Sequence, residues 1–330
     1  MNLERRIELL KKLGQYIVSE DEKWTIAKEK AHYENGWFIP EFIEFQLKHI
    51  SEEYLKEEKL REWLSGYPQP GKSEKTVGII MAGNIPLAGM HDFISAFLSG
   101  HNQLIKPSSK DSVLINAIIE KLKEWDPAIA QKVTIAQQLK GCDAYIATGS
   151  NNSSRYFDYY FSKYPHIIRR NRTSVAILSG NETMNDLSAL ADDVYLYFGF
   201  GCRNVTKLYV PVEYDFVPLL EAFKKYNWVF DNHKYKNNYD YQLAVLIINN
   251  LYYMTNGSIL LRENPSVFSP ISQLHFEHYN DSGYVTDALK NSTDIQCMVG
   301  KHYTPFGTAQ KPALHDYADK ADTLKFLLDL

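Results

Sequence analysis

Leu3, Ile7, Leu10 and Ile17 recur at helical spacing between charged residues, and Phe42, Phe45 and Ile50 do the same further on. This pattern predicts a helical, peripheral region over the first 70 residues. The run from Ser51 to Arg61 is almost entirely charged, as on a solvated helix face. Gly66-Tyr67-Pro68-Gln69-Pro70-Gly71 then marks a boundary, because its prolines and glycines cannot continue a helix. Beyond it the pattern changes to strand and helix in alternation. Thr76 to Ala82 is nearly all apolar, as for a strand buried on both faces. Gly83-Asn84-Ile85-Pro86 turns the chain, and Leu87 to Leu98 predicts a helix. Gln103-Leu104-Ile105 is the next strand, followed by an amphipathic helix from Asp111 to Trp125. Ala144 to Ala147 and Ser174 to Leu178 continue the strand series, with helices at about 152–163 and 184–197. Strands separated by helices predict an α/β protein with a doubly wound parallel sheet.

Past Cys202 the alternation is less clean. Val205 to Val210 predicts a strand, and Val217 to Tyr226 and Tyr239 to Tyr253 predict helices. Ile259 to Leu261, Ile271 to Phe276 and Ile295 to Val299 are further strand candidates, so this part is expected to form its own smaller α/β layer.

Composition narrows the function classes. With 36 basic against 40 acidic side chains the formal net charge is −4, and there is no basic footprint for nucleic acid. No segment reaches the roughly 18 consecutive apolar residues of a membrane helix. The start, Met1-Asn2-Leu3-Glu4-Arg5-Arg6, lacks the apolar core of a signal peptide. Three cysteines cannot form a disulfide framework. A soluble cytoplasmic enzyme is the expectation.

Several positions could carry chemistry. Asn84 follows a strand and precedes a helix, where open α/β sheets bind ligands, but it also reads as an ordinary turn asparagine. Gly149-Ser150 lets a backbone approach a pyrophosphate at a helix N-terminus, or simply caps that helix. Lys106, at a strand end, is either a charge aimed at a nucleotide or a surface lysine. Cys142 and Cys297 read as structural thiols. Cys202, in Phe198-Gly199-Phe200-Gly201-Cys202-Arg203-Asn204, sits among glycines beside an arginine that favours a thiolate; a buried inert thiol is the alternative.

Together these segments resemble the aldehyde dehydrogenase superfamily, and within it the LuxC-type acyl-CoA reductases. Ala82-Gly83-Asn84-Ile85-Pro86-Leu87 is similar to the family's Asn-x-Pro-Leu turn, whose asparagine contributes to an oxyanion hole. Leu104-Ile105-Lys106-Pro107-Ser108 resembles its Val-Lys-Pro-Ser segment at the nucleotide ribose, and Ala147-Thr148-Gly149-Ser150 its Phe-Thr-Gly-Ser element at the pyrophosphate. Gly199-Phe200-Gly201-Cys202 falls where the family keeps its nucleophile, and Phe268-Ser269-Pro270-Ile271 resembles the Phe-Gly-Pro segment beside the nicotinamide. Pro165 to Ala176 and Phe306-Gly307-Thr308-Ala309-Gln310 are the LuxC-like stretches. The resemblance implies Cys202 and Asn84 as catalytic residues and Lys106, Ser108, Ser109, Thr148, Gly149, Ser150 and Phe268 as cofactor-binding residues, with no metal. It divides the chain into an N-terminal helical region (1–72), a Rossmann-like cofactor domain (73–200), a catalytic domain (201–305) and a C-terminal return segment (306–330). It also implies a homo-oligomer, a dimer.

Two departures sharpen the expectation. Where hydrolytic relatives carry the glutamate of Glu-Leu-Gly-Gly, this chain has Ile177-Leu178-Ser179-Gly180, and Ser266 replaces a ribose-holding glutamate. Without a water-activating acid, the resemblance implies reduction of an acyl thioester such as acyl-CoA to an aldehyde through an acyl-Cys202 intermediate. The alternatives are a hydrolytic aldehyde dehydrogenase, a noncatalytic acyl-CoA-binding or partner subunit, and a thioesterase with His91 or Glu182 as its base. Ser109, where many NAD-specific members carry an acid, implies NADPH as cofactor, with NADH possible.

Overall fold

The structure, a computed structural model, describes residues 1–69, 71 and 74–330. Pro70 of the expected break and the expected boundary between 72 and 73 lie outside the described residues. The chain forms two units, Met1–Asn171 with Pro312–Leu330, and Arg172–Lys311.

The first unit opens with helices. α1 (Leu3–Ile17) begins where Asn2 Oδ1 accepts the Arg5 N–H at 2.9 Å, and Asp21 caps α2 (Glu22–Glu34) in the same way. α3 (Pro40–His49) runs into a π-helical turn over Ile50–Tyr54, and α4 (Glu57–Ser65) follows, so the charged run at 51–61 is split between two helical pieces. The alternating region then supplies β1 (Thr76–Ile80), α5 (Met90–Ser99), β2 (Asn102–Lys106), α6 (Val113–Trp125), α7 (Ile129–Lys132), β3 (Val133–Ile135), β4 (Ala144–Thr148), α8 (Asn151–Phe161) and β5 (His166–Arg169). Its strands form a parallel sheet in the order β3-β2-β1-β4-β5. α5 starts three residues later than the pattern predicts, because Leu87 takes a left-handed φ of 53° directly after Pro86. At the other end of α5, Gly100 has φ 90°, and the buried Arg6 guanidinium donates to Leu98 O at 2.7 Å and Phe97 O at 3.3 Å. A Cβ at Gly100 would lie 2.3 Å from that guanidinium, so glycine is required there.

The second unit contains β6 (Thr173–Ile177), α9 (Met184–Tyr195), β7 (Val205–Pro211), α10 (Val217–Phe223), α11 (His233–Ile248), β8 (Met254–Thr255), β9 (Leu260–Glu263), β10 (Gln273–Tyr279), α12 (Ser282–Lys290) and β11 (Ile295–Val299). Its sheet runs β11-β6-β7-β10-β9-β8, parallel except for the β8–β9 pair. The strand at 174–178 therefore does not extend the first sheet: β6 pairs with β7 and β11 and begins the second. For that reason the chain changes units after Asn171 rather than at 200, and the second unit runs to Lys311 rather than 305. α10 tightens into a 3-10 segment over Lys224–Asp231, and α11 starts at His233 because Asn232 Oδ1 accepts the Lys234 and Tyr235 N–H groups. It stops at Ile248, before Asn250 turns left-handed with φ 50°, so residues 249–253 are not helical as the pattern suggested.

In the first unit the returning helix Thr323–Leu328 packs on α5. Arg169 Nη1 meets Asp92 Oδ2 of α5 at 2.6 Å, and its Nη2 donates to Thr323 Oγ1 at 2.7 Å. Both charged side chains are under a tenth exposed. Removing one partner strands a buried charge. Arg169→Ala should therefore lower the unfolding free energy in urea titration by about 3–5 kcal/mol; a loss below about 1 kcal/mol would show that the pair does not secure the returning helix.

Candidate active site

The first sheet brings seven of the expected residues to one edge. β1 pairs in parallel with β2 on one side and β4 on the other, and the chain leaves the carboxyl ends of β1 and β4 in opposite directions, toward β2 and β5. That is the switch point where open α/β sheets leave a crevice. Asn84 stands exposed just past β1, Lys106 ends β2, and Thr148 ends β4. The loops are locked together: the Met81 N–H donates to Lys106 O at 3.1 Å, and Gly83 is packed on Ser108. A Cβ at Gly83 would lie 2.5 Å from Ser108 Oγ and 2.6 Å from its Cβ, so only glycine lets the Asn84 turn approach the 106–109 loop. Lys106, Ser109 and Lys110 are exposed. Gly149 anchors its N–H on Arg169 O at 3.2 Å, and Ser150 caps α8 by accepting the Ser153 N–H.

In the second unit Cys202 is half-buried in the turn between α9 and β7. The approach is strained, since Tyr197, Phe198 and Gly199 take φ of 55°, 54° and 80° in succession. Left-handed backbone costs roughly 1–2 kcal/mol at each non-glycine residue, and burial of both rings holds it. Ser174 Oγ donates to Cys202 O at 3.1 Å, and Asn204 Oδ1 accepts the Gly201 N–H at 2.7 Å. Phe268 lies on the same amino-terminal edge of the second sheet, where Thr206 Oγ1 holds Val267 O at 2.6 Å. Ser266 closes this segment on itself, its hydroxyl donating to Phe268 O and accepting the Phe268 N–H.

Residues 42–219 match the acyl-CoA reductase (LuxC) family profile. The chain belongs to the LuxC acyl-CoA reductase family. The matched span contains Asn84, Lys106, Thr148 to Ser150 and Cys202, and ends before Phe268. Members of this family are oxidoreductases of acyl-CoA. Solved structures with the same fold are aldehyde dehydrogenases. One is an AldC variant from Pseudomonas syringae with NAD+ and octanal, at TM-score 0.66 and 11% identity over 92% of this chain and 73% of that one. Another is aldehyde dehydrogenase 21 from Physcomitrella patens with succinate, at TM-score 0.66 and 13% identity over 91% and 74%. A third is an NAD-dependent benzaldehyde dehydrogenase from Corynebacterium glutamicum, at TM-score 0.65 and 12% identity over 91% and 76%. No curated protein sequence matches the chain.

The remaining candidates of this LuxC-family chain divide clearly. Cys142 is buried against Tyr145 and Phe161, and burial pushes its thiol up. Cys297 is half-buried on β11, its Sγ 3.1 Å from Ser174 Oγ, and its thiol is also raised by burial. Ile177 ends β6 and packs its side chain with Val175, Val285, Leu289 and Ile295. The β6 residue bonded to the Cys202 turn is Ser174 rather than Ile177. Glu182 accepts from the Ser179 N–H and hydroxyl and from the Gly180 N–H, which commits both carboxylate oxygens to the loop. His91 lies in the first unit among Tyr54, Trp63 and Tyr317, with Nε2 at 2.8 Å from Leu314 O. Among the described residues no group of three His, Cys, Asp or Glu could hold a metal ion, and no helix is long and apolar enough to cross a membrane.

The sequence pattern missed two buried carboxyls. Asp111, expected to begin a helix, instead accepts the Leu87 N–H at 2.7 Å beneath the Asn84 turn, while its other oxygen has no hydrogen-bond partner. Asp193 accepts the Gly307 and Ala309 N–H groups at 2.7 and 2.9 Å, docking the 306–310 stretch on α9. Burial pushes each up to about 7, against the pull of those N–H donors. A carboxyl raised in the folded state stabilises it while protonated, so the contribution is full below pH 4 and lost as pH rises through 7. The melting temperature should therefore fall between about pH 4 and 7, and Asp111→Asn should flatten that fall in calorimetry. An unchanged slope in the variant would remove Asp111 from the effect.

Proposed function

We propose that this chain reduces an acyl-CoA to the aldehyde through a thioester on Cys202. The observation that carries the reading is the Cys202 turn itself: a half-buried thiol after a strained glycine-containing loop, with Ile177 apolar and the Glu182 carboxylate already occupied. Cys202 as thiolate attacks the acyl carbonyl, forming a C–S bond, and the tetrahedral intermediate expels the coenzyme A thiolate. Negative charge develops on the carbonyl oxygen, for which the Cys202 N–H and the Asn84 amide are the proposed donors; such donors contribute about 3–4 kcal/mol each. No step requires an activated water, and a carboxylate base beside the thioester would divert it to acid.

The first sheet's edge supports nucleotide binding, because the N-terminus of α8 opens there directly after Gly149 and exposed Lys106 offers a cation. These features fit a dinucleotide. Lys106, Ser108 and Ser109 would hold its ribose, Thr148, Gly149 and Ser150 its pyrophosphate, and Phe268 would flank the nicotinamide. When bound, the reduced nicotinamide supplies the hydride that releases the acyl group as aldehyde. Exposed Ser109 between Lys106 and Lys110 supports NADPH over NADH, since a hydroxyl and a cation attract a 2′-phosphate that a carboxylate would repel. Free thiols at 142, 202 and 297 support a reducing compartment, the cytoplasm. Exposed Ile247, Ile248 and Tyr252 support the homodimer.

Mixing the protein with acyl-CoA and NADPH should oxidise the cofactor and release free thiol and aldehyde in equal amounts. Cys202→Ala should abolish all three signals, while Cys142→Ala and Cys297→Ser retain them; turnover surviving in Cys202→Ala would end the reading. Asn84→Ala should slow the chemical step about 100-fold at unchanged thermal stability. If it melts earlier and keeps its turnover, Asn84 is only a turn former.

Cofactor choice is tested separately. Wild type should bind NADPH about tenfold more tightly than NADH, and Ser109→Glu should invert the preference. An unaltered preference in the variant would show that this loop does not read the phosphate.

A further inference from the structure

Two fully buried residues hold the peptide groups around Cys202, Ser174 through its hydroxyl and Asn204 through its backbone N–H, while the Asn204 side chain holds the peptide before them. On the near side, the Asn204 backbone N–H donates to Gly201 O at 3.0 Å, and the Asn204 side chain accepts the Gly201 N–H at 2.7 Å. The same side-chain amide donates to Leu196 O at 2.8 Å, Asp193 O at 3.0 Å and Val194 O at 3.3 Å, fastening the turn to the end of α9. On the far side, Ser174 Oγ donates to Cys202 O at 3.1 Å and accepts the Cys297 N–H at 3.2 Å, which ties the turn to β6 and β11. Ser174 and Asn204 are joined as well, the Ser174 N–H donating to Asn204 O at 3.0 Å.

A peptide group is planar and trans, so fixing its carbonyl also fixes its N–H in the opposite direction. Gly201 O held by Asn204 therefore orients the Cys202 N–H, and Cys202 O held by Ser174 orients the following peptide. With both planes set, φ and ψ of Cys202 are set, and with them the direction of its Cα–Cβ bond. We propose that Ser174 and Asn204 are positioning residues that aim the Cys202 thiol and its N–H at the acyl carbonyl. This rests on Cys202 being the nucleophile. Neither residue needs to touch the substrate. The strained run at 197–199 gives the clamp its purpose, because a turn entered through three left-handed residues relaxes unless both of its ends are tied.

Misaiming a nucleophile slows bond formation far more than it weakens binding. Ser174→Ala removes one oxygen and the hold on Cys202 O; Asn204→Asp keeps the acceptor for Gly201 but loses the three donations to α9. In single-turnover acylation followed by mass spectrometry, each folded variant should form the Cys202 adduct about ten- to a hundredfold more slowly. KM for acyl-CoA should stay within about twofold, and so should the rate and pH midpoint of Cys202 alkylation by iodoacetamide, a small reagent that tolerates misdirection. Acylation at the wild-type rate in either folded variant overturns the proposal. A shifted alkylation midpoint also overturns it, by assigning the loss to thiol acidity. If one variant does not fold, the other decides. A wild-type protein that forms no adduct on Cys202 overturns the nucleophile reading itself, whereas a wild-type adduct with unslowed variants overturns only the positioning.

Discussion

Parallel pairing of β1 with β2 on one side and β4 on the other is the constraint on which the first unit depends. Parallel strands cannot be joined by a tight turn, so each returns through a helix and all their carboxyl ends share one edge. Chain leaves β1 and β4 in opposite directions, and the loops after β1, β2 and β4 open around a common crevice. This is why segments far apart in sequence, at 83–87, 106–111 and 148–150, become neighbours. Close packing then refines the edge. Gly83 admits Ser108, and the buried Asp111 carboxyl holds the Leu87 N–H in a conformation leucine does not prefer.

The second unit uses the opposite edge of its sheet. Cys202 precedes β7, and the turn that carries it is built on backbone strain offset by buried hydrogen bonds. Asp193 serves the same region from another direction: its carboxylate docks the 306–310 stretch, while its backbone carbonyl receives the Asn204 amide. Buried polar networks of this kind are stabilising only when every member is satisfied. Here the amide of Asn204 finds partners for both its oxygen and its nitrogen, which makes the Cys202 turn one of the more fully determined parts of the unit.

Fold and local side-chain packing are separable in this chain. Aldehyde dehydrogenases share this architecture at 11–13% identity. In this chain Ile177 joins an apolar cluster, and Ser266 spends its hydroxyl on its own loop. The scaffold is common; the chemistry follows from which groups remain available at the strand ends.

Read alone, the chain already determined the α/β class, most of the strands, the order of the site segments and the family to which they belong. These rest on local pattern: apolar runs, helical periodicity, and glycine or proline at turns. What it did not determine was which sheet a strand joins. Residues 174–178 look like one more strand of the first sheet, and only their hydrogen bonds to β7 and β11 assign them to the second. The same holds for Asp111, Ser174, Asp193 and Asn204, which in sequence are ordinary polar residues near helix ends or strand starts. Their partners come from the packing of separate elements, such as Asp193 with Gly307 and Ala309 or Ser174 with Cys202 and Cys297. A polar side chain carries no mark of its partner until folding removes water and leaves only one group within hydrogen-bond reach.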